Sequence, residues 1–279
     1  MMTTPLLTDT DSSHLYALIT GASSGIGRAY AEQLARSGYN LVLVARRADR
    51  LQALADELQQ AQGTVAEVLP ADLGTDAGVR AVTERIEQGN GIQGTPLALL
   101  INNAGYAVRG TVADLDPPSL DAMLRVNILA LSQLSHSALR RMIAVGRGAI
   151  INVASGTVFM QMKGNAGYGA SKNYVTAFTR HMQVETEGTG VEVQLLIPGL
   201  VATEFHAVAG NDMESFPPER VMSAEDLVRA SLQALEQGER VCIPSLPDIT
   251  DWENYVAAER VVAANVSRNK SALRYNTNG

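Results

Sequence analysis

The side chains in this sequence best suited to chemistry are Tyr168 and Lys172, four residues apart, with Ser155 thirteen positions before the tyrosine. On a helix, residues four apart share one face, so the ammonium group of Lys172 would stand beside the phenol of Tyr168. Bringing a phenol pKa from about 10 to neutrality takes about 4 kcal/mol. One cation at about 4 Å supplies about 4 kcal/mol at an effective dielectric constant near 20. The spacing therefore predicts proton transfer at an oxygen, although such pairs also occur as ordinary contacts on helix surfaces.

A glycine-rich segment, Thr20-Gly21-Ala22-Ser23-Ser24-Gly25-Ile26-Gly27, directly follows the apolar run 15–19. This order predicts a strand, a tight turn and a helix. Glycines let the backbone turn sharply and let a ligand approach closely, and the first NH groups of a helix favour a phosphate. The glycines occupy positions 1, 5 and 7 of the segment, which differs from the usual dinucleotide spacing of 1, 3 and 6.

Several further segments complete a pattern. They are Asp72-Leu73, Asn102-Asn103-Ala104-Gly105, Asn127, and Pro198-Gly199 followed by Thr203. With Ser155, Tyr168 and Lys172, their order resembles the short-chain dehydrogenase/reductase family over roughly residues 15 to 245. The resemblance implies a Rossmann-type doubly wound parallel sheet in a single α/β domain. It also implies an enzyme that moves hydride between a nicotinamide cofactor and a carbonyl or secondary alcohol.

The resemblance assigns roles to four candidate catalytic residues. Ser155 would bind the substrate oxygen and Tyr168 would transfer the proton. Lys172 would hold the nicotinamide ribose and lower the pKa of Tyr168, and Asn127 would support Lys172. The candidate cofactor-binding residues are Gly21, Ser23, Ser24, Gly25, Ile26, Gly27, Arg46, Arg47, Asp72, Leu73, Asn103, Ala104, Gly105, Tyr168, Lys172, Pro198, Gly199 and Thr203.

The end of the second predicted strand indicates which dinucleotide binds. In a Rossmann unit, an acidic residue there binds the adenosine ribose, whereas an arginine accommodates a 2′-phosphate. Here Leu41-Val42-Leu43-Val44 is followed by Ala45-Arg46-Arg47, with no carboxylate at that position. Arg46 is placed to bind a phosphate with two hydrogen bonds. The sequence favours NADP(H), with NAD(H) as the alternative; a solvated arginine pair is the structural alternative.

Composition limits the class of protein. The 279 residues are 46% hydrophobic, enough for one domain at 14–279, which we expect to follow a flexible tail at 1–13. The net charge of −7 argues against nucleic-acid binding. The single cysteine, Cys242, excludes an internal disulfide and fits a cytoplasmic protein. Metal-binding motifs and an apolar run of about 18 residues are absent from the sequence, so we expect neither a metal nor a membrane span.

Short apolar runs alternate with helical patterns, which is typical of a parallel sheet with helices on both faces. Strands are predicted at 15–20, 40–45, 64–69, 97–101, 148–153, 191–197 and 240–243. Helices are predicted at 25–37, 47–61, 76–88, 118–145, 168–186, 224–237 and 251–267. The helix at 118–145 is apolar nearly all round, which predicts burial on more than one side. It is buried either within the monomer or, as the resemblance implies, against a second subunit of a homodimer or homotetramer.

The expected substrate is a small carbonyl compound or alcohol. Apolar residues, among them Phe159, Met160 and Met162, separate Ser155 from Tyr168, and residues 200–222 are expected to form a lid. This favours an apolar ketone. The nearby cations Arg109 and Lys163 are the candidates for anchoring a substrate carboxylate instead.

Two other functions fit parts of the sequence. Gly21-Ala22-Ser23-Ser24-Gly25 matches the Gly-x-Ser-x-Gly turn of α/β-hydrolases, in which Ser23 would be the nucleophile. A hydrolase also needs a downstream histidine, for which the chain offers His136, His181 and His206. The third alternative is an NADP(H)-binding sensor without catalytic activity.

Overall fold

The computed structural model describes residues 15–88, 96–205 and 216–275. The predicted tail at 1–13 lies outside the described residues. Two compact units are present, one ending at Pro244 and one beginning at Ser245. The extent of the predicted domain, 14–279, therefore stays a prediction.

The first unit is built on a twisted parallel sheet. The described strands are β1 (Tyr16–Thr20), β2 (Asn40–Ala45), β3 (Ala66–Pro70), β4 (Leu97–Asn102), β5 (Gly148–Val153), β6 (Val191–Leu196), β7 (Leu200–Val201), β8 (Val221–Met222) and β9 (Val241–Cys242). Among the described residues, seven strands form one sheet in the order β3-β2-β1-β4-β5-β6-β9, and β7 pairs with β8. The strand order reverses direction beside β1, where α/β sheets bind ligands at the carboxyl ends of the strands. This is the predicted Rossmann-type fold.

Helices cover both faces of this sheet. They are α1 (Gly25–Arg36), α2 (Ala48–Gln62), α3 (Asp76–Glu87), α4 (Pro117–Leu124), α5 (Leu131–Val145), α6 (Ala166–Glu185) and α7 (Ala224–Glu236). Side chains of Thr75, Asp116 and Ser223 cap the starts of α3, α4 and α7. In β1, Ala17 and Ile19 belong to the core on one face, while Tyr16 and Leu18 belong to the core on the other. Residues on both faces of the strands are therefore apolar, as expected for a parallel sheet.

The helix predicted at 118–145 is interrupted. A π-helical segment, Arg125–Ala130, separates α4 from α5. The apolar pattern continues through this segment, so periodicity did not reveal the change in winding. Burial on more than one side is also incomplete in this chain, because Leu129 is 49% exposed and Ile143 is 43% exposed.

The predicted lid at 200–222 is described at its two ends. Leu200 pairs with Val221 and Val201 pairs with Met222, so β7 and β8 hold the ends of the segment together. Residues 206–215 lie outside the described residues. The second unit contains α8 (Thr250–Ala263) and a 3₁₀ turn at Leu273–Tyr275. Within the part of the chain that is described, no helix combines the length and apolar character needed to cross a membrane.

Candidate active site

The glycine loop between β1 and α1 has no room for side chains at its glycines. Gly21 has a φ of 70°, and a Cβ atom built there would lie 2.7 Å from Asn103 Nδ2. A Cβ atom on Gly27 would lie 2.3 Å from the carbonyl oxygen of Gly21. Both distances are shorter than any ordinary contact. The glycines thus allow the loop to pack closely against the segment that follows β4.

Hydrogen bonds in which Thr20 is mostly the acceptor fix that segment. The Thr20 hydroxyl donates to the Ile101 carbonyl at 3.1 Å and accepts from the backbone NH groups of Asn103 and Ala104, each at 3.0 Å. Asn103 Nδ2 donates to the Thr20 carbonyl at 2.9 Å. The end of β1 and the end of β4 are therefore held together at the carboxyl edge of the sheet.

Asn127, in the π-helical segment, connects three parts of the site. Its Nδ2 donates to the Tyr106 carbonyl and to the Ser171 hydroxyl, each at 3.0 Å, and its Oδ1 accepts from the Tyr106 NH at 3.1 Å. A Cβ atom on Gly105 would lie 3.0 Å from Asn127 Oδ1 and 3.4 Å from Lys172 Nζ. The side chain of Asn127 thus positions the Gly105-Tyr106 backbone and the helix that carries Lys172. π-Helical turns are often found at functional sites.

The structure brings Ser155, Tyr168 and Lys172 together. Tyr168 and Lys172 lie one turn apart on α6, and Lys172 Nζ is 5.9 Å from the centre of the Tyr168 ring. Lys172 Nζ donates to the Val153 carbonyl at the end of β5 at 2.9 Å. Ser155 begins a 3₁₀ turn, and its hydroxyl accepts from Thr157 Oγ1 at 3.1 Å.

Burial dominates the acid–base properties of these groups. It raises the pKa of Tyr168 to about 12, although the hydrogen bond with Ser155 and the positive charge of Arg109 act in the opposite direction. Burial lowers the pKa of Lys172 to about 8. The phenol pKa is therefore raised and not lowered as predicted, because removal from water outweighs the hydrogen bond with Ser155 and the charge of Arg109. With a pKa of about 8, Lys172 remains mostly protonated at neutral pH.

A basic cluster lies against the glycine loop. Arg47 Nη2 donates to the hydroxyls of Ser23 and Ser24, each at 3.0 Å. Arg47 Nη1 lies 3.3 Å from a carboxylate oxygen of Glu204, and Arg50 Nη1 lies 2.9 Å from both of its oxygens. Arg47 is thus the arginine that contacts the loop.

Arg46, which the residue pattern favoured, is exposed and lies near Tyr106, where its charge lowers the phenol pKa against a larger effect of burial. Sequence reasoning missed Arg50 and Glu204. An arginine at 47 and another at 50, three apart at the start of a helix, is the local signal that could have indicated Arg50.

The other predicted residues lie at the same edge of the sheet. Asp72 Oδ1 accepts from the Gly74 NH at 2.9 Å, so this carboxylate stabilises the turn before α3, and Leu73 is buried. The Pro198 carbonyl, next to Gly199, accepts from the Gly156 NH at 2.7 Å. Thr203 Cβ lies 3.1 Å from the position that a Cβ atom on Gly25 would take. Ile26 packs against the core.

An aromatic side chain packs beside the phenol ring, and further apolar side chains near Ser155 in the sequence are exposed. The ring of Phe205 lies 5.8 Å from the ring of Tyr168, at an angle of 45°. Phe159, Met160 and Met162 are each more than two-fifths exposed. The described part of the chain contains no group of acidic, histidine or cysteine side chains that could hold a metal.

The hydrolase alternative lacks its base among the described residues. Ser23 is in contact with Arg47, and His136 and His181 are exposed on α5 and α6. His206 lies outside the described residues. The Ser23 hydroxyl is therefore next to a guanidinium group, which cannot accept its proton.

The model of the short chain dehydrogenase family matches residues 15–214. A very-long-chain 3-oxoacyl-CoA reductase-like protein of Arabidopsis thaliana is 33% identical, over 85% of this chain and 75% of the relative. A short-chain dehydrogenase from Sphingobium yanoikuyae in complex with NADPH is 35% identical with a TM-score of 0.87, covering 93% of this chain and 99% of the other. A bulky-bulky ketone specific alcohol dehydrogenase from Comamonas testosteroni is 31% identical with a TM-score of 0.84, covering 94% and 98% of the two chains.

The chain belongs to the short-chain dehydrogenase/reductase family, and it is an oxidoreductase of carbonyl and alcohol groups.

Proposed function

We propose that this enzyme uses NADP(H) to interconvert an uncharged, apolar ketone and the corresponding secondary alcohol. One observation carries the proposal. The buried phenol of Tyr168 is hydrogen-bonded with the Ser155 hydroxyl, its ring centre lies 5.9 Å from Lys172 Nζ, and its ring packs beside that of Phe205. The site therefore offers a proton donor, a hydrogen-bonding hydroxyl and a cation beside an apolar surface.

The residues at the other end of the cleft suit a dinucleotide with a 2′-phosphate. The close packing at Gly21 and Gly27 leaves backbone, not side chains, at the start of α1. Arg47, with the hydroxyls of Ser23 and Ser24, forms a group of donors suited to a phosphate. The complex of the Sphingobium yanoikuyae relative with NADPH supports the same cofactor here. NAD(H), which lacks this phosphate, is the less favoured cofactor.

In the mechanism that we propose, NADP(H) supplies or accepts the hydride when bound. Tyr168 Oη gives its proton to the oxygen of the carbonyl group, and the Ser155 hydroxyl holds that oxygen in place. Lys172 would hold the nicotinamide ribose, and its positive charge would favour the phenolate that remains after the proton leaves. Asn127 is a positioning residue, because its hydrogen bonds fix the backbone beside Lys172.

The remaining contacts to the cofactor follow from position on the sheet edge. We assign the adenosine side to the segment after β4 and to the turn after β3. We assign the carboxamide side to the segment after β6. The residues are Asn103, Ala104, Gly105, Asp72 and Leu73 on the first side, and Pro198, Gly199 and Thr203 on the second.

Apolar surface supports a ketone substrate. Phe205 covers the phenol, and Phe159, Met160 and Met162 are exposed next to the Ser155 turn. The ketone-specific relative from Comamonas testosteroni supports this class. The second candidate is an anionic carbonyl compound, favoured by Arg109, whose positive charge reaches the Tyr168 phenol.

A screen of carbonyl compounds tests the proposal. Rates of NADPH and NADH oxidation would be measured with bulky ketones, matched keto acids and 3-oxoacyl thioesters, and rates of NADP⁺ reduction with the corresponding alcohols. We expect the highest kcat/KM with NADPH and uncharged ketones. A preference for the keto acids would instead assign a substrate-anchoring role to Arg109 or Lys163.

We further infer that the enzyme is a homodimer or homotetramer in the cytoplasm. Exposed apolar side chains on α5 and α6, among them Ile143, Tyr174 and Val184, support association, as does Leu129 beside them. Tyr174 on α6 hydrogen-bonds with Ser132 on α5, so the two helices are in contact at this point. Light scattering of Leu129→Glu and of the wild type would test this, and an unchanged mass would contradict it.

A further inference from the structure

The carboxylate of Glu204 balances the positive charge of two arginines at the beginning of α2. Arg47 and Arg50 both stand at the beginning of α2, where the positive end of the helix dipole disfavours cations. Glu204 is bound to both arginines. It lies 154 residues after Arg50 in the sequence. The two arginines lower the pKa of Glu204, chiefly through the hydrogen bond from Arg50, so the carboxylate is charged at neutral pH.

Arg47, which binds Glu204, would also bind the 2′-phosphate of the cofactor. The arginine that accommodates a 2′-phosphate lies just after the second strand of a Rossmann unit, which here is β2. Arg47 meets this condition and also contacts the serine hydroxyls of the glycine loop. A phosphate on these donors would compete with the carboxylate of Glu204 for the guanidinium group of Arg47.

The neighbours of Glu204 contact other parts of the cleft. Thr203 packs on Gly25 of the glycine loop, and Phe205 packs on the ring of Tyr168. The three consecutive residues therefore connect the basic cluster with the proposed proton donor. A change in the position of Glu204 would act on both neighbours through the backbone.

From these contacts we infer that Glu204 is a specificity-determining residue that occupies the 2′-phosphate subsite. The 2′-phosphate of bound NADP(H) would take the place of the Glu204 carboxylate at Arg47, and the segment 203–205 would leave the basic cluster. NAD(H) lacks the 2′-phosphate and would leave Glu204 bound to Arg47 and Arg50. The inference rests on the proposed function, because it assumes that Arg47 reads this phosphate.

The strength of the ion pairs of Glu204 sets how much NADPH affinity should increase when they are removed. Exposed ion pairs are weak, and the side chains of Glu204, Arg47 and Arg50 are 53%, 42% and 44% exposed. Removing two such pairs should tighten NADPH binding by about two- to tenfold. NADH binding should stay unchanged, because its adenosine ribose presents no charge to the cluster.

The experiment measures dissociation constants of Glu204→Gln for NADPH, NADH, 2′,5′-ADP and 5′-AMP by calorimetry. We expect tighter binding of NADPH and 2′,5′-ADP, and unchanged binding of NADH and 5′-AMP. The matched control is Glu57→Gln, which changes the net charge equally. Glu57 pairs with an arginine, Arg28, and is 55% exposed. This control should leave all four constants unchanged.

Other outcomes separate this inference from the proposed function. Weaker or unchanged binding of NADPH to Glu204→Gln would overturn the competition. In the same assay, Arg47→Ala should weaken NADPH and 2′,5′-ADP but not NADH. Equal losses of affinity for all four ligands in Arg47→Ala would overturn the proposed binding of the 2′-phosphate by Arg47.

Hydrogen exchange provides a second readout. Binding of 2′,5′-ADP to the wild type should speed amide exchange at residues 203–205, whereas 5′-AMP should not. In Glu204→Gln, exchange should be fast without ligand. Slowed exchange with 2′,5′-ADP in the wild type would contradict the release of this segment.

Discussion

Tyr168 and Lys172, at the proposed catalytic end of the cleft, are almost fully buried, whereas Arg47, Arg50 and Glu204 at the phosphate end are about half exposed. Removal from water moves the pKa values of the buried pair in opposite directions, to about 12 and about 8. At the exposed end, water and salt screen the charges, so each ion pair is weak and exchangeable.

The buried end of the cleft suits proton transfer, and the exposed end suits cofactor recognition. Proton transfer needs groups whose positions are fixed by packing, and Lys172 is held by its hydrogen bond to the Val153 carbonyl. Recognition of a soluble cofactor needs contacts that form and break on each binding event. Four predictions separate the two ends.

The largest effect is expected at the buried end. Tyr168→Phe removes the proposed proton donor and retains the ring that packs against Phe205. Turnover should fall by at least ~10²-fold, the range for loss of a general acid. Binding of NADPH should persist, measured by calorimetry on the same preparation. Near-normal turnover under conditions where chemistry limits the rate would show that another group delivers the proton.

Substitution at the exposed end should change binding and not chemistry. Arg47→Ala should weaken NADPH by about 1.5 to 3 kcal/mol, as for hydrogen bonds to charged groups, and leave NADH unchanged. The matched variant is Arg46→Ala, which removes an exposed arginine that lies near Tyr106. We expect a smaller loss for Arg46→Ala. The reverse order of the two losses would return the phosphate-reading role to Arg46.

The pH dependence of the free energy of unfolding should show that Lys172 is buried. Its pKa is about 8 in the folded chain, against an ordinary value of 10.5, so the unfolded chain binds more protons between these values and stability rises with pH. From about pH 7 to about pH 9.5, the free energy of unfolding of the wild type should rise by about 2 kcal/mol relative to Lys172→Met.

Denaturant unfolding at the two pH values measures this difference. Because the comparison is with a variant, contributions of Tyr30 and Cys242, whose pKa values are both raised by burial, cancel. The control is Lys163→Met, which replaces an exposed lysine. Parallel pH profiles for the wild type and Lys172→Met would mean that this ammonium group is not desolvated.

The smallest effect concerns the substrate pocket. In a series of uncharged ketones, each added methylene should favour binding by about 0.8 kcal/mol at most, until the pocket is filled. Ordering of residues near Phe205 over the substrate would reduce this slope, because fixing backbone costs about 1 to 2 kcal/mol per residue. Values of kcat/KM across the series measure the slope. A flat series would contradict an apolar pocket.

The sequence predicted the parts that depend on local pattern. Strands such as β2 and β5 begin and end at the predicted residues, and the spacing of Tyr168 and Lys172 gave their common helix face. It did not predict the pairing of Glu204 with Arg47, because contacts between distant segments leave no local pattern. The direction of the Tyr168 pKa was also missed, since burial depends on the packing of several elements around the phenol.

We propose above all that Tyr168 and the cluster of Arg47, Arg50 and Glu204 serve an NADP(H)-dependent reduction of uncharged ketones. Initial rates with one bulky ketone, measured with NADPH and with NADH at matched subsaturating concentrations, test it most directly. We expect a preference for NADPH of at least ~10-fold, from the contact of Arg47 with one phosphate. Equal rates with the two cofactors, or faster reduction with NADH, would contradict it.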